Sequence, residues 1–208
     1  MEQQTGGPGA NGPGGTAQTL PAALAARIGA CAPSCGPVRL VAVDGHAGSG
    51  KTTFTARLAA ALGDAPVVHL DDLATHEEPF GWPDRLRREV LEPLAAGRDA
   101  EHRVYDWDLR RFTVSRPVPV APVVLLEGVG AGRREIRPWL ALLVWMDLDV
   151  EAARRRGELR DGPALAEFWA DWARAEHAHF AGNPSRPYAD VLVHGVTGRI
   201  ASGTVGDL

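Results

Sequence analysis

The sequence has 208 residues, of which 45% are hydrophobic and 23% are charged, which fits one α/β domain with a full core. Its formal charge of −4 argues against a nucleic-acid-binding surface, and no apolar stretch approaches the ~20 residues that span a membrane. The first residues are not basic and no apolar run follows them, so we expect no signal peptide, no membrane partner and a cytoplasmic protein.

The two ends of the sequence lack the apolar periodicity of folded segments. Residues 1–17 consist mainly of small and polar residue types that cannot bury enough surface to offset their ordering entropy, so we predict a disordered tail. Residues 19–30 predict a short helix, and residues 201–208 predict a loose end. A single domain would therefore occupy residues 18–200.

Cys31 and Cys35 are the two cysteines of the sequence. Their spacing could belong to half of a metal site or to a redox pair, but no second pair of ligands accompanies them. Pro33 between them favours a turn, so free thiols are the preferred interpretation.

An apolar run at residues 38–43 predicts a buried strand, and a glycine-rich segment follows it directly. This segment matches the phosphate-binding pattern G-x-x-x-x-G-K-[ST] and consists of Gly45, His46, Ala47, Gly48, Ser49, Gly50, Lys51, Thr52 and Thr53. Its glycines allow successive backbone N–H groups to turn towards an anion, and the following helix adds its unpaired donors. Lys51 can then reach the β- and γ-phosphates, and Thr52 can place its hydroxyl on Mg²⁺.

From Val38 onwards, apolar runs alternate with helical patterns, which is typical of a parallel sheet covered by helices on both faces. Strands are predicted over residues 38–43, 66–70, 122–126, 141–146 and 191–194. Helices are predicted directly after the glycine-rich segment and near residues 85–96, 150–159 and 164–180.

The last predicted helix carries two patterns that need interpretation. Its apolar side carries Leu165 and four aromatic residues, Phe168, Trp169, Trp172 and Phe180. The aromatic residues could stack on a base, but their helical spacing favours core packing. Glu176, His177 and His179 could suggest a metal site. The two histidines are two positions apart and face different directions, so we predict a surface location.

Acidic residues follow the second and third predicted strands: Asp71 and Asp72 after one, and Glu127 after the other. Because parallel strands bring their carboxyl ends to one edge, we expect these carboxylates near Lys51 and Thr52. An Asp pair alone is more typical of a helix cap or turn, but the neighbouring phosphate loop reverses that preference. Such a set of cations and carboxylates suits phosphoryl transfer.

The order of five motifs resembles the uridine kinase family of phosphate-loop kinases, which act on nucleosides and other small metabolites. They read Val-Asp-Gly-His-Ala-Gly-Ser-Gly-Lys-Thr-Thr, His-Leu-Asp-Asp, Val-Tyr-Asp-Trp, Leu-Leu-Glu-Gly and Arg-Arg-Arg followed by Arg-Asp. The resemblance covers about residues 38–190. It implies a three-layer α/β fold with a five-stranded parallel sheet, helices on both faces and a mobile arginine-bearing lid. It also implies ATP and Mg²⁺ as cofactors and a small alcohol as substrate.

The resemblance implies roles for residues that match the motifs. Asp71 stands at the position of the base that acts on the substrate hydroxyl, and Glu127 stands where an acidic residue holds Mg²⁺ with Thr52. Arg155, Arg156 and Arg160 fall in the lid, where guanidinium groups would neutralise charge on the transferred phosphoryl group. The alternative for this arginine run is a solvated helix face.

The residues expected to bind the phosphate acceptor depart from the family pattern. Tyr105, Asp106 and Trp107 match the segment that lines the nucleoside pocket, where Trp107 replaces a Phe and either stacks on a base or walls the pocket. Two carboxylates of the family's ribose-holding loop are missing from residues 80–87, and only Asp84 keeps its place. The lid also has Gly157 where the family has Arg or an apolar residue. We therefore expect phosphorylation of a primary hydroxyl on a uridine- or cytidine-like nucleoside, or on another alcohol such as pantothenate, nicotinamide riboside or a specialised metabolite.

Two other function classes compete with a kinase. A GTPase is disfavoured because the sequence has no Asn-Lys-x-Asp tetrapeptide and no Asp-x-x-Gly after the third predicted strand. A non-catalytic nucleotide-binding module is disfavoured because Asp71, Glu127 and the lid arginines are all retained.

Overall fold

A five-stranded parallel sheet forms the centre of the protein, whose residues 20–200 are described by a computed structural model. Within those residues the strands are β1 (Arg39–Asp44), β2 (Val67–His69), β3 (Ala100–Asp106), β4 (Arg111–Val118), β5 (Val123–Glu127), β6 (Leu140–Asp147) and β7 (Val191–His194). The sheet has the order β2-β5-β1-β6-β7, and each neighbouring pair is parallel. The predicted strands are confirmed, with ends that differ by no more than one residue.

A second, two-stranded sheet was not predicted from the sequence. Strands β3 and β4 pair antiparallel, with Ala100 opposite Val118 at the open end. The side chains of β4 are exposed or only partly buried until Val118, so its sequence lacks the apolar alternation that indicates a strand. In β3 the buried residues are Ala100, His102 and Tyr105, and the polar His102 together with a register shift between Val104 and Tyr105 hides the period-two pattern.

The α-helices lie where the sequence predicts helical segments. They are α1 (Leu20–Ala30), α2 (Lys51–Ala61), α3 (Pro83–Leu86), α4 (Glu92–Ala95), α5 (Val150–Asp161) and α6 (Ala166–Gly182). The predicted helix near 85–96 is not one regular α-helix, because a π-helical turn at Arg87–Leu91 separates α3 from α4. Pro93 lies two residues after this turn and has no N–H to donate, which fits a change of hydrogen-bond register here.

Two hydrophobic clusters cover the two faces of the parallel sheet. Leu40 and Ala42 of β1 point into one cluster, and Val41 and Val43 point into the other. The first cluster contains the apolar side chains of the helical residues 83–95, and the second contains those of α1 and α2. The three-layer α/β arrangement is thereby confirmed. The predicted tail 1–17 and the predicted loose end 201–208 lie outside the described residues.

The cysteines are free thiols, as predicted. The Cys35 thiol is buried and donates a 3.4 Å hydrogen bond to the carbonyl of Leu91, and burial raises the pKa of Cys35 to about 11. Within residues 20–200, no helix combines the length and the apolar character needed to cross a membrane.

Candidate active site

The phosphate loop connects the end of β1 to the first residue of α2, Lys51. Gly48 and Gly50 have φ values of +83° and +96°, which side chains other than glycine rarely adopt. A Cβ atom at Gly48 would also lie 2.1 Å from the carbonyl oxygen of Ala153, so α5 passes directly against the loop. The backbone angles therefore require glycine at both positions, and Gly48 is required also by its contact with α5.

Lys51 is the only lysine of the sequence and is 8% exposed. Its Nζ atom donates to the carbonyl oxygens of Gly45 and His46, each at 3.0 Å. These contacts hold the ammonium group over the loop, where it can meet a phosphate oxygen.

A buried carboxylate at the end of β1 joins the phosphate loop to the loop that follows β5. Asp44 is fully buried and accepts backbone N–H bonds from Gly45 at 2.7 Å and from Gly130 and Gly132, both at 2.8 Å. Burial raises the pKa of Asp44, while the hydrogen bonds from these amides oppose that rise. Sequence reasoning missed this role, although an Asp at the last position of an apolar strand was a visible signal.

Thr52 and Glu127 face each other across the predicted metal position. The Thr52 hydroxyl donates to Oε1 of Glu127 at 3.3 Å, and Oε2 of Glu127 lies 2.7 Å from Nδ1 of His69. The hydrogen bond to Glu127 raises the pKa of His69. Hydroxyl and carboxylate oxygens are ligands that suit Mg²⁺, so the donor set here fits this ion.

The two aspartates after β2 have different environments. Asp71 is exposed to the same cavity as Lys51, and desolvation by the protein around this cavity, together with the charge of Glu127, raises the pKa of Asp71. Asp72 instead forms an ion pair with Arg116 of β4 and is absent from the cavity wall. The structure thus separates the pair, with Asp71 alone positioned towards the cavity.

A cavity of about 680 Å³ brings most of the predicted site residues together. The residues that line it on the phosphate side are Ala47, Gly48, Gly50, Lys51, Thr52, Thr53, Asp71, Glu127, Arg156 and Arg160. The other predicted loop residues, Gly45, His46 and Ser49, belong to the loop but do not line this cavity.

The arginine run of α5 divides between the cavity and the outer surface. Arg156 lines the cavity and donates to the Gly195 carbonyl at 3.3 Å, and Arg160 lines it while paired with Asp161 at 2.6 Å. Arg154 is bound to Glu158 at 2.7 Å and does not line the cavity. The solvated-face interpretation therefore fits Arg154 and also Arg155, which is exposed and does not line the cavity, so the lid prediction is wrong for Arg155. The cavity-facing interpretation fits Arg156 and Arg160.

The glycine that departs from the family pattern has a steric explanation. A Cβ atom at Gly157 would lie 2.1 Å from the indole of Trp169, so the backbone of α5 packs directly against that ring. The Trp169 Nε1–H also donates to Asp161 at 3.2 Å. Helices α5 and α6 are thus joined at both edges of one indole.

Another part of the cavity wall is largely aromatic, which corrects the core-packing prediction for Leu165, Phe168 and Trp172. Trp169 also lines the cavity, but it is 3% exposed and packs against Gly157, as the core-packing prediction requires. The residues of this aromatic wall are His76, Trp107, Leu165, Phe168, Trp169 and Trp172. Phe168 and Trp172 are stacked, with ring centroids 6.0 Å apart and planes 24° apart. Helical periodicity shows that a helix has one apolar face, but it does not show whether that face meets protein or a cavity.

Three residues predicted to bind the acceptor lie elsewhere. Asp84 is exposed in the first turn of α3, 3.6 Å from Arg87, and the Tyr105 hydroxyl lies 3.2 Å from Nδ1 of His76. Asp106 caps the turn between β3 and β4 by accepting from the backbone N–H groups of residues 108 and 109. Trp107 does line the cavity, and its Nε1–H donates to the Asp71 carbonyl at 3.2 Å.

The surface prediction for the end of α6 holds only for His177. Glu176 is buried, and its carboxylate binds the phosphate loop through the Ala47 N–H at 2.7 Å. His179 stacks on Phe80 with centroids 4.3 Å apart, and burial lowers the pKa of His179 to about 4.

These features define a class of protein. A parallel sheet with a phosphate loop after β1 and cavity-facing carboxylates after β2 and β5 is the architecture of a phosphate-loop kinase of small molecules. Comparison with known proteins agrees with this class, although no protein-family model matches the chain.

A uridine kinase from Deinococcus deserti is 30% identical over 185 residues, covering 75% of this chain and 87% of that relative. The chain belongs to the uridine kinase family. The solved structure of a possible uridine kinase from Bacillus stearothermophilus superimposes with a TM-score of 0.58 and 20% identity, covering 83% of this chain and 96% of that one. This second likeness supports the fold.

Proposed function

We propose that the protein transfers the γ-phosphoryl group of ATP to a primary hydroxyl of a small alcohol bound in the cavity. The observation that carries this proposal is the meeting of Lys51, Thr52, Asp71 and Glu127 in one cavity of about 680 Å³. These residues come from three separate strand ends, and each supplies a group that phosphoryl transfer requires.

The phosphate loop and Lys51 bind the triphosphate through backbone N–H groups and one ammonium group. Thr52 and Glu127 would hold Mg²⁺, which supplies charge neutralisation on the phosphate oxygens when bound. The described residues contain no cluster of three or more His, Cys, Asp or Glu side chains placed to hold a metal. That fits Mg²⁺, which usually binds through one or two carboxylates together with waters and substrate phosphates.

Asp71 accepts the proton of the acceptor hydroxyl. As the hydroxyl oxygen forms its bond to the γ-phosphorus, the bond from that phosphorus to the bridging β–γ oxygen breaks and ADP leaves. The raised pKa of Asp71 makes its carboxylate a stronger proton acceptor than an aspartate in water. Arg156 and Arg160 neutralise charge on the transferred group and, with the aromatic wall, exclude water from it.

The aromatic wall supports an acceptor that carries a planar ring, and a uridine- or cytidine-like nucleoside is the first candidate. Stacking of a base on one aromatic side chain contributes roughly 1–3 kcal/mol. A specific observation favours a second candidate, a small alcohol other than a uridine- or cytidine-like nucleoside: Asp84 and Asp106 both lie outside the cavity wall. Pantothenate, nicotinamide riboside and specialised metabolites with a primary hydroxyl are the compounds to compare.

The test incubates the protein with Mg·ATP and uridine, cytidine, pantothenate or nicotinamide riboside, and detects the gain of one phosphoryl group by mass spectrometry. Phe168→Ala should raise the KM of the accepted alcohol roughly 5- to 100-fold, the scale of one lost stacking contact. Leu159→Ala is the matched control, because Leu159 is an apolar residue of α5 that is 84% exposed. Tight ATP binding without product from any alcohol would contradict the kinase proposal and support a non-catalytic nucleotide-binding module.

A further inference from the structure

Glu176 connects α6 to the phosphate loop, although 129 residues separate it from its partner Ala47. Its Oε1 atom accepts the Ala47 N–H at 2.7 Å, and its Oε2 atom lies 3.2 Å from Nδ1 of His46. The side chain is buried but does not line the cavity. The carboxylate therefore holds the loop from outside the cavity and does not occupy the phosphate side.

The backbone amides of the loop divide into two sets. Those of Gly45, Ala47 and Ser49 donate to acceptors within the protein, which are Asp44, Glu176 and the His46 carbonyl. Among the described residues, the amides of His46, Gly48 and Gly50 have no protein acceptor, and Gly48 and Gly50 line the cavity, so these two are free to meet phosphate oxygens. Glu176 thus fixes one of the peptide groups whose orientation decides where the neighbouring Gly48 amide points.

The contact is supported by ring packing around His46. The imidazole lies edge-on to Trp145 at 5.5 Å and to Phe180 at 5.1 Å, so it has little freedom to leave Glu176. Phe180 and Glu176 are one turn apart on α6 and contact the same histidine. One turn earlier, Trp172 belongs to the aromatic wall of the cavity. The same helix therefore contacts both the phosphate loop and the acceptor side.

We propose that Glu176 is a positioning residue, which holds the Ala47 peptide so that the remaining loop amides are aligned for the phosphates of ATP. This inference rests on the nucleotide-binding part of the proposed function. The positioning role concerns ATP binding alone, so it can be tested without phosphoryl transfer and without knowing the acceptor alcohol.

The test combines two measurements on the full chain. Hydrogen exchange of the peptide that contains residues 45–50 is followed by mass spectrometry without nucleotide, and the Kd of Mg·ATP is measured by calorimetry. Glu176→Ala should speed exchange in this peptide and raise the Kd roughly 10- to 100-fold, the scale of a lost hydrogen bond to a buried charged group. Thermal unfolding of each variant verifies that it is folded.

Two conservative variants separate positioning from a general loss of packing. Glu176→Gln keeps an oxygen that can accept the Ala47 N–H, so its Kd should stay within about threefold of the wild type, a smaller change than that of a lost buried hydrogen bond. Glu176→Asp is one methylene shorter and should behave like Glu176→Ala. Glu167→Ala changes an exposed carboxylate of the same helix and should leave both measurements unchanged.

Unchanged hydrogen exchange of the loop and an unchanged Kd in Glu176→Ala would overturn the inference. Equal increases of the Kd in Glu176→Gln and Glu176→Asp would also overturn it. If Glu176→Ala does not fold, the comparison of Gln with Asp decides. A wild-type protein that binds Mg·ATP but phosphorylates no alcohol contradicts the kinase proposal and leaves the positioning role intact. A wild-type protein that binds no Mg·ATP overturns both.

Discussion

The hydroxyl of Thr52 donates a hydrogen bond to the carboxylate of Glu127, with 3.3 Å between the two oxygens. This contact joins the first turn of α2 to the end of β5. It brings a hard, neutral oxygen and a charged one to the same point of the cavity, directly beside the phosphate loop.

Glu127→Gln removes the charge from this pair with little change of shape. We expect the Mg²⁺ concentration for half-maximal phosphoryl transfer to rise and kcat to fall roughly 10- to 100-fold. The measurement is a Mg²⁺ titration at fixed ATP, with Glu101→Gln on the exposed side of β3 as the control. The same Mg²⁺ dependence in both variants would remove Glu127 from the metal site.

Lys51 can be tested without mutation because it is the only lysine in the sequence. An amine-acylating ester should modify Lys51 and the α-amino group in the free protein. Mg·ATP should protect Lys51 alone, since the ammonium group then contacts phosphate oxygens. Peptide mass spectrometry measures both sites, and the α-amino group serves as the internal control. Equal labelling of Lys51 with and without Mg·ATP would contradict its role.

Asp71→Asn should leave the Kd of Mg·ATP nearly unchanged and lower kcat roughly 100-fold or more, the scale of lost general-base catalysis. Calorimetry and steady-state kinetics separate the two effects. Asp72→Asn is the matched control, because Asp72 is paired with Arg116 and does not line the cavity. Full turnover in Asp71→Asn would remove the base assignment.

Arg156→Ala should lower kcat roughly 10²- to 10³-fold, because a cation that faces the transferred group is lost. Arg154→Ala removes an arginine two positions away whose guanidinium is bound to Glu158, so kcat should change less than about twofold, as expected for an exposed ion pair. Equal effects of the two changes would show that α5 presents a general positive charge and no specific contact.

Stability should depend on pH through His179. Burial lowers the pKa of His179 from 6.5 to about 4. Between pH 6.5 and pH 4, His179 is therefore protonated in the unfolded chain and neutral in the folded chain. Stability is therefore lost as the pH falls from 6.5 towards 4. From pH 7 to pH 5, the Tm of the wild type should fall by roughly 2–5 °C more than that of His179→Gln. His177→Gln, at an exposed position of the same helix, should follow the wild type.

The parallel sheet could be predicted because each of its strands is a nearly continuous apolar run, and Val191–His194 was located to the residue. The β3–β4 hairpin could not be predicted, because the side chains of β4 are mostly exposed and show no apolar alternation. Only the pairing of β4 with β3 defines it as a strand. A strand of this kind is specified by its partner, and its own sequence carries little signal.

The candidate site likewise has a part that could be predicted from the sequence and a part that could not. Lys51, Thr52, Asp71 and Glu127 could be placed together because parallel strands share one edge, which is a rule about topology. The contact between Glu176 and Ala47 could not be foreseen, because no pattern along α6 shows which loop a single carboxylate meets. For the same reason, the sequence favoured core packing for Phe168 and Trp172, which the structure places on a cavity wall.

The absence of a side chain at Gly157 has a consequence for evolution. The indole of Trp169 fills the volume that a methyl group at position 157 would need, so the two positions cannot both be large. A homologue with a larger residue at position 157 must therefore have a smaller residue at position 169. In a sequence alignment, the residues at these two positions should covary. An aligned set of close homologues with large residues at both positions would refute that coupling.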